Sequence, residues 1–132
     1  MAKPAAGVTC QQQAASLGID KLRRHILLCT GPNCTDQAAG EIAWTYLKRR
    51  IAELGLHHAP HNVYRTRCAC LRICTQGPIM VVYPDGVWYH SARPDVIERI
   101  LQEHILQGVP VRNFVFAERT LGGPAFLPES TT

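Results

Sequence analysis

A chain of 132 residues with a formal net charge of +4 is long enough for one modest hydrophobic core. Its 46% hydrophobic and 18% charged residues are ordinary for a globular protein and argue against general disorder. The longest apolar run (79–83) is far too short to span a bilayer, and the richest basic run (47–50) lies in a helical pattern that predicts a solvated face rather than nucleic-acid binding.

The chain is predicted to consist of one domain between two flexible ends. Residues 1–22 contain small residues and three consecutive glutamines without periodicity, which predicts a leader with no regular structure and no apolar secretory segment. Residues 23–117 carry the alternating and helical patterns of the domain. Residues 118–132 are rich in glycine and proline, which predicts a loose tail.

The first half of the domain predicts a strand, a helix and a second strand. Residues 25–29 form a short buried-strand pattern, and residues 62–69 alternate as a second strand. Between them, Thr35 is predicted to cap a helix that runs to about Leu54 and ends at Gly55. The predicted apolar stripe of this helix is Ile42, Tyr46, Leu47, Ile51 and Leu54.

The second half predicts a hairpin followed by a helix. Residues 79–90 contain two apolar runs joined at Pro-Asp-Gly, a strong hairpin signal. Pro94 suits the first turn of the second helix, which ends at Gly108, and residues 111–116 suggest one more short strand. The predicted buried side of this helix is Ile97, Ile100, Leu101 and Ile105.

The order β-α-β followed by β-β-α predicts an α/β fold of the thioredoxin-like type. Consecutive β-α-β elements favour a parallel strand pair and the hairpin adds antiparallel strands, so we expect a mixed four-stranded sheet with two main helices. In that arrangement the loop after the first strand and the loop before the hairpin can lie at one end of the sheet. These loops carry two cysteine pairs, Cys29 with Cys34 and Cys70 with Cys74, whose sulfurs would converge.

The spacing of these cysteines favours a two-iron cluster over a single metal ion. The pairs are Cys-x4-Cys and Cys-x3-Cys, whereas zinc ribbons use tight Cys-x2-Cys knuckles. Wider spacings fit a cluster of two irons and two sulfides with two thiolates on each iron. A structural zinc site stays an alternative, and so does thiol-redox chemistry, although the Cys-x2-Cys of thioredoxin is absent.

Two further cysteines need separate interpretations. Cys68 lies two positions before Cys70 and could replace a ligand, but we favour a small thiol packed beside the site. Cys10 lies in the leader and is predicted to be a free thiol. Without a secretory signal the chain is expected in the cytosol, where structural disulfides are disfavoured, so six cysteines indicate metal or redox chemistry.

Three segments together resemble the thioredoxin-like [2Fe-2S] ferredoxin family. They are HILLCTGPNC (25–34), CLRICTQGPIMVVYPDGVWY (70–89) and PDVIERILQEHILQGVPV (94–111), and the resemblance covers about residues 24–116. The most specific part is Cys-x3-Cys-x2-Gly-Pro followed by an apolar strand and Tyr-Pro-Asp-Gly-Val-Trp-Tyr. The spacing of four residues in the first pair departs from many free-standing members and matches a related module of respiratory NADH dehydrogenase.

The resemblance implies that Cys29, Cys34, Cys70 and Cys74 bind one [2Fe-2S] cluster near the surface. It also implies a homodimer that passes single electrons between redox proteins. The sequence has no Ser-His-Asp arrangement, phosphate loop or dinucleotide fingerprint, so we expect no catalytic site. A cluster-bearing subunit of a larger dehydrogenase or hydrogenase is the alternative.

Three arginines near these loops, and a histidine tract after the first helix, each have two interpretations. Arg65, Arg67 and Arg72 flank the second cysteine pair and could steer an acidic redox partner, or could simply be solvated positions. The histidine tract of residues 57–61 is interpreted as a solvated loop rather than a metal site.

Overall fold

A computed structural model of the protein describes residues 3–122. Three helices and five strands, with short 3₁₀ turns between some of them, follow one another along this part of the chain. In order they are α1 (Cys10–Leu17), a 3₁₀ turn (Ile19–Lys21), β1 (Arg24–Cys29), α2 (Gln37–Glu53), β2 (Val63–Cys68), β3 (Ile79–Tyr83), β4 (Val87–Tyr89), α3 (Pro94–Arg99), a 3₁₀ turn (Arg112–Phe114) and β5 (Val115–Glu118). Helix α3 continues beyond Arg99 in wider π-type turns (Ile100–Ile105).

The strands form one mixed sheet in the order β2-β1-β3-β4-β5. β1 and β2 are parallel and the other neighbours are antiparallel, which confirms the predicted β-α-β unit and hairpin. The predicted count of four strands is wrong, because residues 115–118 pair with β4 as a fifth. The suggested strand at 111–116 is shifted, since residues 112–114 form a 3₁₀ turn and β5 is a mostly exposed edge strand without an alternating pattern.

Helix α2 begins one residue later than predicted, and its buried face overlaps the predicted stripe only in part: Leu47 and Ile51 are buried as predicted. The Asp36 carboxylate, not the Thr35 hydroxyl, accepts the capping hydrogen bond from Ala39 N–H at 2.8 Å. Ile42 of the predicted stripe is 58% exposed, whereas Trp44 is buried. The buried face is Gly40, Ala43, Trp44, Leu47 and Ile51.

Close contact between α2 and the end of β1 decides this face. A Cβ atom added at Gly40 would lie 2.3 Å from the Thr30 carbonyl oxygen, so only glycine allows the helix to approach the strand there. Leu47 and Ile51, about two and three turns further on, then point into the same core.

The core lies between the sheet and helices α2 and α3. The predicted buried side of the second helix is confirmed, since Ile97, Ile100, Leu101 and Ile105 are all buried. Each fully buried side chain of this size stabilises the fold by roughly 1.5–3 kcal/mol. The strands contribute Ile26, Leu28, Met80, Val82, Val87 and Tyr89 to the same core.

A polar network ties the β3–β4 turn to this core. His104 is 1% exposed; its Nε2 lies 2.7 Å from the Asp85 carboxylate and its Nδ1 2.8 Å from the Tyr89 hydroxyl. With Nε2–H donating to Asp85, the Tyr89 O–H donates to Nδ1, while Val111 N–H donates to the Tyr89 oxygen at 3.1 Å. Burial lowers the pKa of His104 and raises the pKa of Tyr89 to about 12. The network therefore stays hydrogen-bonded with a neutral imidazole.

The ends of the chain differ in part from the expectation. Residues 10–17 form a helix where no element was predicted, with a capping box between Thr9 and Gln12. None of its residues is buried, so it leaves no apolar stripe in the sequence. The proposed limits of the domain stay a prediction, and most of the predicted tail, residues 123–132, lies outside the described residues. None of the helices within the described range has the length and apolarity needed to cross a membrane.

Candidate metal centre

The two cysteine-bearing loops emerge at one end of the sheet. β1 ends at Cys29 and the parallel strand β2 ends at Cys68, and these two residues are register partners. β3 runs in the opposite direction and begins at Ile79, which is also a partner of Cys29. The loop after β1 and the loop before β3 therefore start side by side.

Within these loops the four predicted ligands form two pairs of thiols. The sulfurs of Cys29 and Cys34 are 2.8 Å apart, and these residues are only 2% and 7% exposed. The sulfurs of Cys70 and Cys74 are 3.9 Å apart, and both residues are exposed. The centre thus has a buried pair of thiols and an exposed pair.

The two loops are joined by a close backbone contact between Gly77 and Cys34, which we call the interlock. Gly77 N–H donates a hydrogen bond to the Cys34 carbonyl oxygen at 2.8 Å, and a Cβ added at Gly77 would lie 2.4 Å from that oxygen. In the first loop Gly31 has φ +93°, and an added Cβ would lie 2.4 Å from the Thr35 carbonyl oxygen. Both glycines therefore allow backbone approaches that a side chain would prevent.

The second loop has an unusual backbone conformation. Arg72, Cys74 and Gln76 have φ values of +68°, +59° and +55°, a region that residues other than glycine rarely adopt. These left-handed residues fold the loop tightly, and Arg72 N–H then donates to the Cys70 sulfur at 3.2 Å. Strained backbone of this kind concentrates at functional sites.

One thiol of each pair, Cys34 in the first and Cys74 in the second, has a raised pKa. Burial, followed by the hydrogen bond with Cys29, raises the pKa of Cys34 to about 11, and backbone N–H groups of Ile79 and Gly31 oppose the rise. The hydrogen bond with Cys70 raises the pKa of Cys74. Because metals bind thiolates and not thiols, bound iron would have to displace the thiol protons of Cys34 and Cys74.

Cys68 lies beside this centre and packs against the cluster of Cys29, Cys34 and Ile79. Its Sγ donates to the Leu28 carbonyl oxygen at 3.7 Å, and the residue is half-buried. Burial raises the pKa of its thiol, and the neighbouring Cys29 and Cys70 raise it further. This environment suits a neutral packed thiol. Cys10 is exposed on α1.

Apolar side chains that the sequence did not single out enclose the buried pair. Ile79 is fully buried against Cys29 and Cys34, and Leu71, Ile73 and Trp88 pack against the same cluster. The alternation of apolar residues with cysteines in CLRIC was the signal that could have identified two of them. Their packing limits water around the sulfurs.

The three flanking arginines have different environments. Arg67 pairs with the Glu41 carboxylate and also donates to the Thr30 hydroxyl at 3.3 Å. Arg65 lies over the Trp44 ring, 5.3 Å from its centroid. Arg72 is exposed beside Cys70. Arg72 is therefore the arginine whose position best fits the docking hypothesis.

Elsewhere, His57 and His58 are exposed, with ring centroids 3.9 Å apart. Across residues 3–122, no group of three or more His, Cys, Asp or Glu side chains is arranged to hold a single metal ion. The cysteines stand instead as two pairs, and two thiolates for each iron is the donor set of a two-iron cluster. The residues present thus fit such a cluster.

Comparison with known proteins found relatives that are named as 2Fe-2S ferredoxins. A 2Fe-2S ferredoxin of Clostridium pasteurianum is 34% identical over 98 residues, which is 68% of this chain and 92% of the relative. A relative in Priestia megaterium, also named as a 2Fe-2S ferredoxin, is 32% identical over 96 residues, which is 73% of this chain and 72% of that one. No family model matches the chain.

Solved structures agree with these relatives. The wild-type thioredoxin-like [2Fe-2S] ferredoxin of Aquifex aeolicus is 25% identical, with a TM-score of 0.61, and the match covers 73% of this chain and 98% of that one. A second structure of that ferredoxin, 24% identical with a TM-score of 0.63, covers 80% of this chain and 98% of its own and agrees in fold. With the relatives above and the predicted motif, the chain belongs to the thioredoxin-like [2Fe-2S] ferredoxin family.

Proposed function

We propose that this protein binds one [2Fe-2S] cluster through Cys29, Cys34, Cys70 and Cys74 and carries single electrons between redox partners. The observation that carries the proposal is the pairing of four thiols on two interlocked loops at one end of the sheet. A bound cluster supplies one-electron redox chemistry, which none of these side chains provides alone.

The two pairs of proposed ligands differ in their exposure to solvent, so one side of a bound cluster would be more shielded than the other. Cys29 and Cys34 hold the side that faces the core, under the cover of Ile79. Cys70 and Cys74 hold the exposed side, where an electron can leave or enter at short range. Backbone N–H groups such as that of Arg72 donate to the cysteine sulfurs and favour their anionic form.

The remaining predictions about the carrier rest on the family resemblance and on general chemistry. We propose that the protein is a homodimer, that it works with donor and acceptor proteins, and that it is a carrier and not an enzyme. We also propose that it works in the cytosol, because thiols destined for iron must stay reduced before the cluster is assembled.

The first test is the content of iron and acid-labile sulfide in protein purified without oxygen. We expect about two of each per chain, and a brown colour that bleaches with dithionite. Colourless protein with about one zinc would contradict the proposal and favour the structural zinc site. Co-purification with a flavoprotein would favour the dehydrogenase-subunit alternative.

The ligand assignment has a matched pair of variants two residues apart. Cys70→Ser should abolish or weaken cluster binding, and the same holds for serine at the other three proposed ligands. Cys68→Ser removes a thiol whose sulfur is directed at the Leu28 carbonyl, so iron content should be unchanged. If Cys68→Ser loses iron and Cys70→Ser retains it, the third ligand is Cys68. Cys10→Ser should have no effect.

A further inference from the structure

A cavity of about 300 Å³ lies between α1, the end of α2 and the start of β2. Its apolar lining comes from all three elements and from the turn after α1, and it consists of Leu17, Leu22, Ile51, Ala52 and Val63. Ile51 and Val63 are buried core residues, and they form the floor of the cavity. The volume lies at the lower end of the range for small-molecule sites.

The polar lining of this cavity is cationic. Lys48 and Arg65 contribute to it together with His57 and His58, and the described lining contains no acidic residue. Nor does any ion pair within residues 3–122 involve Lys48 or Arg65. The two permanent charges are therefore open to an anion.

Trp44 holds these two cations in place. The Lys48 ammonium lies 5.7 Å and the Arg65 guanidinium 5.3 Å from the centroid of the indole ring. Two like charges held by one ring repel each other, and an anion between them would relieve that repulsion. Arg67 also lies over this ring, but it is paired with Glu41 and does not line the cavity.

We propose that this cavity binds a small molecule with an apolar body and one anionic group, either a carboxylate or a phosphate. The apolar body lies on the floor beside Ile51 and Val63, and the anionic group accepts hydrogen bonds from Lys48 and Arg65. The site lies at the start of β2, whereas the loop with Cys70 and Cys74 follows the end of that strand and the loop with Cys29 and Cys34 follows the neighbouring end of β1. Ligand binding is thus a property separate from the cluster.

The test uses the iron-loaded protein and isothermal titration with four probes of equal chain length. Octanoate or octyl phosphate should bind saturably with one site per chain, and the tighter of the two identifies the anionic group. Octan-1-ol and octylammonium should bind at least about tenfold more weakly, because they lack the negative charge. Absence of saturable binding by both anions, or equal binding of octylammonium, would overturn the proposal.

Variants locate the binding. Lys48→Gln and Arg65→Gln should each weaken the anion about tenfold, since each removes a charge-assisted hydrogen bond. Arg67→Gln is the matched control: it removes the same charge from the same strand outside the cavity, and binding should change by less than about twofold. An equal loss in Arg67→Gln would show a general charge effect and refute the site.

A filling variant tests the cavity without changing charge. Ala52 lines it from the exposed side of α2, so Ala52→Phe should block binding while the iron content stays that of the wild type. Unchanged affinity in Ala52→Phe would place the anion elsewhere and contradict the proposal.

Discussion

Replacing Gly77 by alanine tests whether the interlocked loops control cluster retention. The added Cβ would lie 2.4 Å from the Cys34 carbonyl oxygen and 2.9 Å from the Cys34 Cβ. Both atoms belong to a buried residue, so one loop must move. Overpacking of this kind costs about 1–3 kcal/mol, and losing the hydrogen bond from Gly77 N–H costs about 0.5–1.5 kcal/mol more.

We therefore expect Gly77→Ala to destabilise the protein by about 1.5–4.5 kcal/mol and to release iron to a chelator several-fold faster. The assay follows the visible absorbance of the iron-loaded protein after addition of a strong chelator, with urea unfolding measured in parallel. Both effects follow from displacement of the Cys34 backbone, which carries a proposed ligand.

Gly55→Ala provides the control for a general loss of stability. Gly55 has φ +65° at the end of α2, where an added Cβ meets no atom within 4 Å. Its replacement should cost about 1 kcal/mol through backbone strain and leave iron release unchanged. If Gly77→Ala retains iron at the wild-type rate, or if Gly55→Ala releases it as fast, the role assigned to the interlock is wrong.

Three further predictions concern the rest of the molecule. Hydrogen bonds from Arg50 lower the pKa of Glu98 to about 2. Because the pKa is lower in the folded than in the unfolded state, ionised Glu98 stabilises the fold above about pH 4.5, and this stabilisation is lost as the pH falls towards 2. Glu98→Gln should therefore cost about 1–2 kcal/mol in urea unfolding at pH 7, after allowance for partial exposure, and almost nothing at pH 2; an equal cost at both would contradict the assignment. Tyr89→Phe leaves the buried His104 Nδ1 without its donor and should cost about 1–3 kcal/mol in the same assay, whereas a neutral result would mean that water replaces the hydroxyl. Arg72→Gln should slow electron transfer to an acidic partner and reduce its dependence on salt, and identical rates at all salt concentrations would exclude docking at this residue.

Local patterns were enough to predict much of the fold and of the candidate site. The hairpin at Pro84–Gly86 was predictable because turn residues and β-branched runs act over a few positions. The buried side of α3 followed from its helical spacing. The two cysteine pairs followed from their spacing, and the parallel β1–β2 pair explains why their loops meet.

Other features depended on contacts between distant residues. The buried face of α2 was set by Gly40 against Thr30, a contact that leaves no trace in the spacing of apolar residues. The fifth strand, residues 115–118, forms because β4 offers a free edge, and its own residues are mostly exposed. The cations that line the cavity come together only because α2 and β2 bring Lys48 and Arg65 to the same tryptophan.

The sequence by itself therefore determined the β-α-β unit, the hairpin, the second main helix and the mixed sheet type, and it indicated four candidate ligands, because turn chemistry, periodicity and cysteine spacing are local. Tertiary structure alone decided which face of α2 is buried and which charges remain unpaired. Those outcomes depend on backbone approaches such as that of Gly77 to Cys34, which are made between loops far apart in the chain.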